Sequence, residues 1–345
     1  MDGERGATVL GFAVAIVVLG ALFWAAGIDE VLAALGSATL SLTALVIPVA
    51  LVWLTAWGMA LHTVLGALET PVGAPTAVLV FASAMFANNV TPFGQAGGEP
   101  LSALLISEAA DTEYETGLAA IASVDALHFL PSIGLATVGL AFFGVQTVSL
   151  GRNLLLAAGA VATLAVVVPV AAVLGWRYRY GLESAVVSVL TPVIRTVGRV
   201  LPRREPLDPA VIETRIEGFF GAIDRVAASR QTILLALGFS LAGWITLAGS
   251  LWLSVYALGI TIPFAAALVV IPVGSIAGVT PLPGGLGGIE VAFVALLIST
   301  TGIPAATASA AVVIHRAATY WLPTLLGGGT AAALWARRSA QRRAG

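Results

Sequence analysis

The chain has 345 residues, 59% hydrophobic and only 10% charged, with 16 basic and 18 acidic residues, a net charge of −2 and no cysteine. A soluble domain carries about 25% charged residues, so a soluble fold is excluded, as are disulfides and thiolate metal centres. Every basic residue is Arg; without Lys a GxxxxGK(S/T) phosphate loop cannot form, and no other nucleotide motif is visible.

Crossing a bilayer as a helix takes about 20 apolar residues. The first such run, Thr8–Ala26, is too long and too weakly basic at its start for a signal peptide, and reads as a retained helix. Apolar runs predict full spans over 7–27, 39–65, 116–145, 152–176, 231–258 and 304–336. Ile28–Ala38 (IDEVLAALGSA) and Ile216–Ala228 (IEGFFGAIDRVAA) read as short amphipathic helices. Segments 75–110 and 264–302 read as helical hairpins: an apolar arm, a Pro/Gly tip, a second apolar arm. The arm Leu101–Ala110 is too short to cross alone, which favours a re-entrant first hairpin; the second is re-entrant or spanning. Residues 177–230 form the one sizeable polar stretch. Its Arg195, Arg199, Arg203 and Arg204, with apolar residues between, suit an amphipathic loop on an anionic leaflet or plain cytoplasmic positive charge.

The two hairpin tips repeat one string. Residues 90–106 read VTPFGQAGGEPLSALLI and residues 279–298 read VTPLPGGLGGIEVAFVALLI. Each has Val-Thr-Pro, a Gly-Gly pair, a Glu and an Ala-Leu-Leu-Ile run. Leu130-Pro131 in the span after the first copy parallels Leu322-Pro323 after the second. Broken backbone survives at membrane depth only where protein or a wet cavity shelters it, and paired interrupted segments in two halves point to a transport site. With the N-terminus inside, Arg5, the nine Arg of 177–230 and the tail Arg337, Arg338, Arg342 and Arg343 are cytoplasmic, Arg152 alone is outside, and Arg316 is buried in a span. The hairpins then enter from opposite sides. The expectation is a single transmembrane domain, 1–345, built of two inverted halves, 1–150 and 151–345, with 177–230 as a cytoplasmic loop.

An ionisable group at membrane depth costs roughly 2.5–3.5 kcal/mol and usually faces a cavity or a partner. Glu99 and Glu290 sit at the tips, either as headgroup or proton ligands or as helix caps. Gly97, Gly98, Gly284, Gly285 and Gly287 permit tight turns whose amides could hold an anion, or close helix packing. Asn88, Asn89, Thr91, Gln95 and Thr280 add neutral polar groups at the same depth. Asp125 and His128 share a helix face, Asp125 lying about 14 Å into its span at about 1.5 Å per residue. His315 and Arg316 lie at similar depth in the partner span, where Arg316 could pair with Glu99, Glu290, Asp125 or a bound phosphate. These sixteen residues are the candidate substrate-binding set. No metal site, cofactor or catalytic nucleophile is expected.

TPFGQAGGEP at 91–100 and TPLPGGLGGIE at 280–290 carry a resemblance that covers the whole chain. The chain resembles the flippase-like membrane proteins related to the transmembrane region of lysylphosphatidylglycerol synthase, the UPF0104 type. The more specific string is Pro283-Gly284-Gly285-Leu286-Gly287, followed by Glu290. The resemblance implies translocation of a lipid or lipid-linked group. The bifunctional relatives carry a separate soluble aminoacyl-transferase domain that is missing here, so an enzyme is not expected.

The expectation is therefore an all-α polytopic membrane protein with about six full transmembrane helices and two hairpins in an inverted repeat. It would flip an anionic phospholipid or lipid-linked headgroup across the cell membrane, with both termini cytoplasmic. The alternatives are a secondary transporter of a soluble solute and a non-transporting scaffold. Membrane lipids are the expected partners, with a lipid-synthesising enzyme as a candidate and no nucleic acid; the oligomeric state is left open.

Overall fold

A computed structural model describes residues 2–91, 94–146, 152–178 and 209–344. The first half runs α1 (Asp2–Ala26), α2 (Ile28–Gly36), α3 (Leu40–Ala67), α4 (Ala74–Val90), α5 (Gln95–Ala110), α6 (Tyr114–Gln146) and α7 (Arg152–Arg177). The second runs α8 (Pro209–Ala228), α9 (Arg230–Ala257), α10 (Phe264–Ser275), α11 (Gly288–Thr301), α12 (Ala305–Arg316) and α13 (Leu322–Ala344). Two 3-10 turns, Ile276–Val279 and Pro283–Gly285, make the second tip, and a π-helical turn, Ala317–Trp321, joins α12 to α13. Residues 179–208 of the polar stretch, with Arg195, Arg199, Arg203 and Arg204, lie outside the described residues; α8 carries 209–228.

Among the described residues five helical runs are long and apolar enough to cross a membrane: Thr8–Ala26, Leu40–Ala67, Tyr114–Val145, Arg230–Ala257 and Pro283–Thr301. The chain is an all-α, multi-pass membrane protein. Pro283–Thr301 is of spanning length, which for the second hairpin favours the spanning alternative over the re-entrant one. The expected span 304–336 is not one α-helix. It is α12 and α13 with the π turn between them, just before Pro323, whose missing N–H cannot support a regular ladder.

The repeat reaches down to single bonds. An offset of 190 residues maps Leu40–Ala67 onto Arg230–Ala257, two helices of 28 residues each. The same offset maps the turn residue Glu69 (φ 61°) onto Gly259 (φ 79°). It also maps the bond between His62 Nδ1 and Val72 O (2.9 Å) onto Trp252 Nε1 donating to Ile262 O (2.9 Å). Each half therefore ends its long helix with the same left-handed turn and ties that turn back with a ring nitrogen.

Equivalent helices exchange partners across the molecule. The long helices α3 and α9 pack against each other at the centre. Hairpin arm α4 packs on α13, and its counterpart α10 packs on α6; short helix α2 packs on α12, and α8 packs on α6. Small residues allow this closeness where lipid offers no hydrophobic drive. A Cβ on Gly327 would collide with the Ala82 carbonyl oxygen of α4, and one on Gly139 would come within 2.8 Å of the Ala265 carbonyl oxygen of α10. The core between the halves is aromatic. Trp57 stacks on His128 (centroids 4.2 Å apart) and meets Trp53 and Trp244 edge-on.

Candidate functional site

The two hairpin tips touch. Gly94 ends the first tip in a left-handed conformation (φ 52°), and a Cβ there would lie 3.2 Å from Gly278 O and 4.0 Å from Gly284 Cα. On the second tip Gly284, Gly285 and Gly287 all have positive φ, so the turn is one that residues with a Cβ resist. Helix α1 lies over this tip: Gly11 faces Pro283, and Gly287 faces Val18 and the Ala15 carbonyl.

Glu290 performs two tasks at the start of α11. Its Oε2 accepts from the Gly287 N–H at 2.6 Å, the N3-to-N-cap half of a capping box. Its Oε1 accepts from Arg316 Nε at 2.6 Å. The capping and ion-pairing readings of this glutamate therefore hold together. Of the partners open to Arg316 in sequence, the structure selects Glu290. The guanidinium also sits 4.7 Å from the Tyr320 ring centroid, and its Nη2 makes a long contact to Gly284 O at 3.5 Å. The pair is largely dry, with side chains 15% and 7% exposed for Arg316 and Glu290.

Tyr320 ties this pair to the first hairpin. Its hydroxyl donates to Asn89 O at 3.0 Å, and Asn89 Nδ2 donates to Thr324 Oγ1 at 2.8 Å. Sequence reading missed Tyr320 and Thr324, although Arg316, Tyr320 and Thr324 follow a four-residue rhythm that marks one helix face. Asn89, Gly284, Gly285, Gly287, Glu290 and Arg316 are thus brought to one place.

A second group forms on the first hairpin. Asp125 has the Gln95 side chain and the Glu99 carboxylate as its electrostatic neighbours. Its Oδ2 is buried without a hydrogen-bond partner. Glu99 does not cap α5: the helix begins at Gln95, no acidic residue stands in its first turn, and Glu99 falls beyond it. The capping alternative is thereby corrected for Glu99. Around it, Gly98 lies against Asn88, whose Oδ1 is also buried and unpartnered, and Gly97 is partly buried on α5. Thr91 Oγ1 donates within its own tip, to Ala87 O at 2.7 Å. Thr280 lies beside Gly288 with its hydroxyl unpartnered.

The two histidines are embedded in helix packing. His128 stacks on Trp57, and its carbonyl accepts from Trp244 Nε1 at 2.9 Å. His315 Nδ1 and Ser250 Oγ are 2.9 Å apart, joining α12 to α9. Among the described residues no group of three or more His, Asp or Glu is placed to hold a metal ion.

A sequence profile of the lysylphosphatidylglycerol synthase transmembrane region matches residues 8–327. A UPF0104 membrane protein of Methanothermobacter thermautotrophicus is 26% identical over 333 residues, covering 94% of this chain and 92% of that protein. A second, from Pyrococcus horikoshii, is 25% identical over 318 residues, covering 89% and 91%. The match spans both tips, the Glu290–Arg316 pair and the Glu99–Asp125 group, and on that extent the chain belongs to the family of the lysylphosphatidylglycerol synthase transmembrane region.

Proposed function

We propose that this protein moves an anionic phospholipid or lipid-linked headgroup across the cell membrane without chemical change to it, using two inverted halves whose hairpins wall one polar path. The observation that carries the reading is Arg316, a cation inside the bundle where the two tips meet. Glu290 engages its Nε, and the terminal nitrogens are left with one long contact to Gly284 O. That edge of the guanidinium is the part that suits a phosphate, in the two-pronged geometry that favours Arg over Lys.

Lipid, rather than a soluble solute, is favoured by what covers the site. Helix α1 lies over the second tip, yet only 11% of its spanning window is buried. One loosely packed helix stands between the polar tip and the bilayer, so a headgroup could enter sideways while its tails stay in lipid. A soluble solute would need an aqueous funnel instead. With the N-terminus, the loop of 177–230 and the C-terminus cytoplasmic, the first hairpin enters from inside and the second from outside. The name of the matched family, with its lipid product, agrees with this class of cargo.

The test is headgroup exchange between leaflets in proteoliposomes. The native chain should mix labelled anionic phospholipids between leaflets, and Arg316→Gln should slow this by about tenfold, roughly 1.4 kcal/mol in the barrier. Leaflets that stay unmixed for every anionic lipid tried, with and without a proton gradient, would sink the reading.

A further inference from the structure

The repeat places unlike charges at like positions. Asp125 and Arg316 each stand eleven residues after the first residue of their helices, Tyr114 of α6 and Ala305 of α12, and Glu99 and Glu290 share the same offset of 191. In the second half the glutamate meets an arginine at 2.6 Å. In the first half an aspartate stands at the arginine's position with the glutamate as its electrostatic neighbour, and among the described residues no cation pairs with either.

The neighbours do not make up the deficit. Asp125 Oδ2 and Asn88 Oδ1 are both buried with no hydrogen-bond partner, so the group presents acceptors without donors beyond the Gln95 amide. Helix α4 has no ionisable residue, α10 has none, and α9 has no Asp, Glu, His or Arg after Arg230. His62 of α3 is bonded to Val72 O, and His128 of α6 is stacked on Trp57. Arg152 and Arg177 stand at the two ends of α7. On α8, Arg215 is engaged by Glu115 at 3.0 Å, and Glu213, Glu217, Asp224 and Arg225 are its other charged residues, Arg225 standing in the last turn. Two carboxylates that are electrostatic neighbours at membrane depth repel one another, and a buried charge without a partner is costly. A bound cation relieves the repulsion and compensates one of the two charges.

A cleft of about 480 Å³ between the start of α6 and α8 is lined by Glu113, Tyr114, Glu115, Thr214 and Arg215. Tyr114 lines this cleft and is also an electrostatic neighbour of Glu99.

We propose that Glu99 and Asp125 form a site for one small monovalent cation, a proton or Na+. Uptake of that cation lowers the negative charge of the pair by one, towards the neutrality that Arg316 gives Glu290. Coupling of this uptake to cargo movement rests on the translocation reading; the cation site itself does not.

The experiment reads the carboxyl groups directly, by infrared titration of the full-length protein in lipid nanodiscs across the neutral pH range. The native chain should show a protonated-carboxyl band that titrates. Asp125→Asn and Glu99→Gln, which keep shape and remove charge, should each abolish it, and Glu290→Gln should leave it. Asp125→Arg, which rebuilds the arrangement of the second half, should abolish the band and remain folded. Choline in place of Na+ at fixed pH separates the two cations: a band that moves marks Na+, and one that stays marks the proton. A native spectrum with neither a titrating band nor a Na+-dependent carboxylate shift overturns the site, as does a band that survives both single substitutions. Because no lipid movement is measured, this failure is distinct from failure of the transport assay.

Discussion

Asp125 and Arg316 occupy one and the same helical position in the two repeats, and they carry opposite charge. Arg316 closes an ion pair with Glu290 at 2.6 Å, whereas Asp125 has Glu99 as a like-charged electrostatic neighbour. The molecule thus keeps a near-symmetric frame around an asymmetric pair of sites.

The ion pair should reveal itself as stability. Glu290→Gln leaves Arg316 largely buried without its counter-charge and weakens the Gly287 cap, and should cost about 2–4 kcal/mol. Arg316→Gln leaves a glutamate that still caps α11 and should cost less. The double variant should lose less than the sum of the singles, because neither charge is stranded. Thermal unfolding in detergent micelles, read as a double-mutant cycle, checks this; additive losses would show that the pair is not coupled.

Gly284→Ala should disturb both tips. Its φ of 56° disfavours a Cβ, and that Cβ would stand 2.6 Å from Tyr320 Cε2 and 2.9 Å from Asn89 Oδ1. Gly329→Ala is the control, since nothing lies within 4 Å of a Cβ there. The first should lower the melting temperature and the second should not, in the same micelle assay.

Tyr320→Phe separates the two tasks of that ring. It keeps the face beneath Arg316 but removes the donor to Asn89 O, a loss of about 1 kcal/mol. Tyr320→Leu removes the ring face as well and should cost more. Equal losses from the two substitutions would mean that the cation–ring contact contributes nothing.

Opposite entry of the hairpins has a direct readout, because the chain has no cysteine of its own. Pro71 precedes the first hairpin and Thr261 the second, and both are exposed. Pro71→Cys should react with a membrane-impermeant thiol reagent only from the cytoplasmic side, and Thr261→Cys only from the outside. Labelling of both from one side would reject the inverted arrangement.

Sequence went furthest where the rule is local. The bilayer demands about 20 apolar residues per crossing and admits Pro and Gly only at sheltered breaks. The spans, the two tips and the repeat therefore stood in the chain itself, and helix boundaries keep an offset of 190 between Leu40–Ala67 and Arg230–Ala257. Where a helix begins was less legible. Gln95 opens α5 early enough to carry Glu99 past the first turn, whereas Gly288 opens α11 so that Glu290 can cap it. No composition rule separates two tips so alike.

Partnership was decided by the tertiary structure alone. Composition placed Glu99, Glu290, Asp125 and Arg316 at membrane depth, but which oxygen meets which nitrogen depends on helix rotation and on the π turn after Arg316. The same holds for His128 and His315, which read as ligands beside charged neighbours. Packing turns one against Trp57 and the other towards Ser250. The chain by itself determined a helical membrane protein with two paired interruptions, because hydrophobic length and backbone satisfaction are properties of each segment. The distribution of charge between its two sites is a property of contacts between segments, and only the folded bundle specifies those.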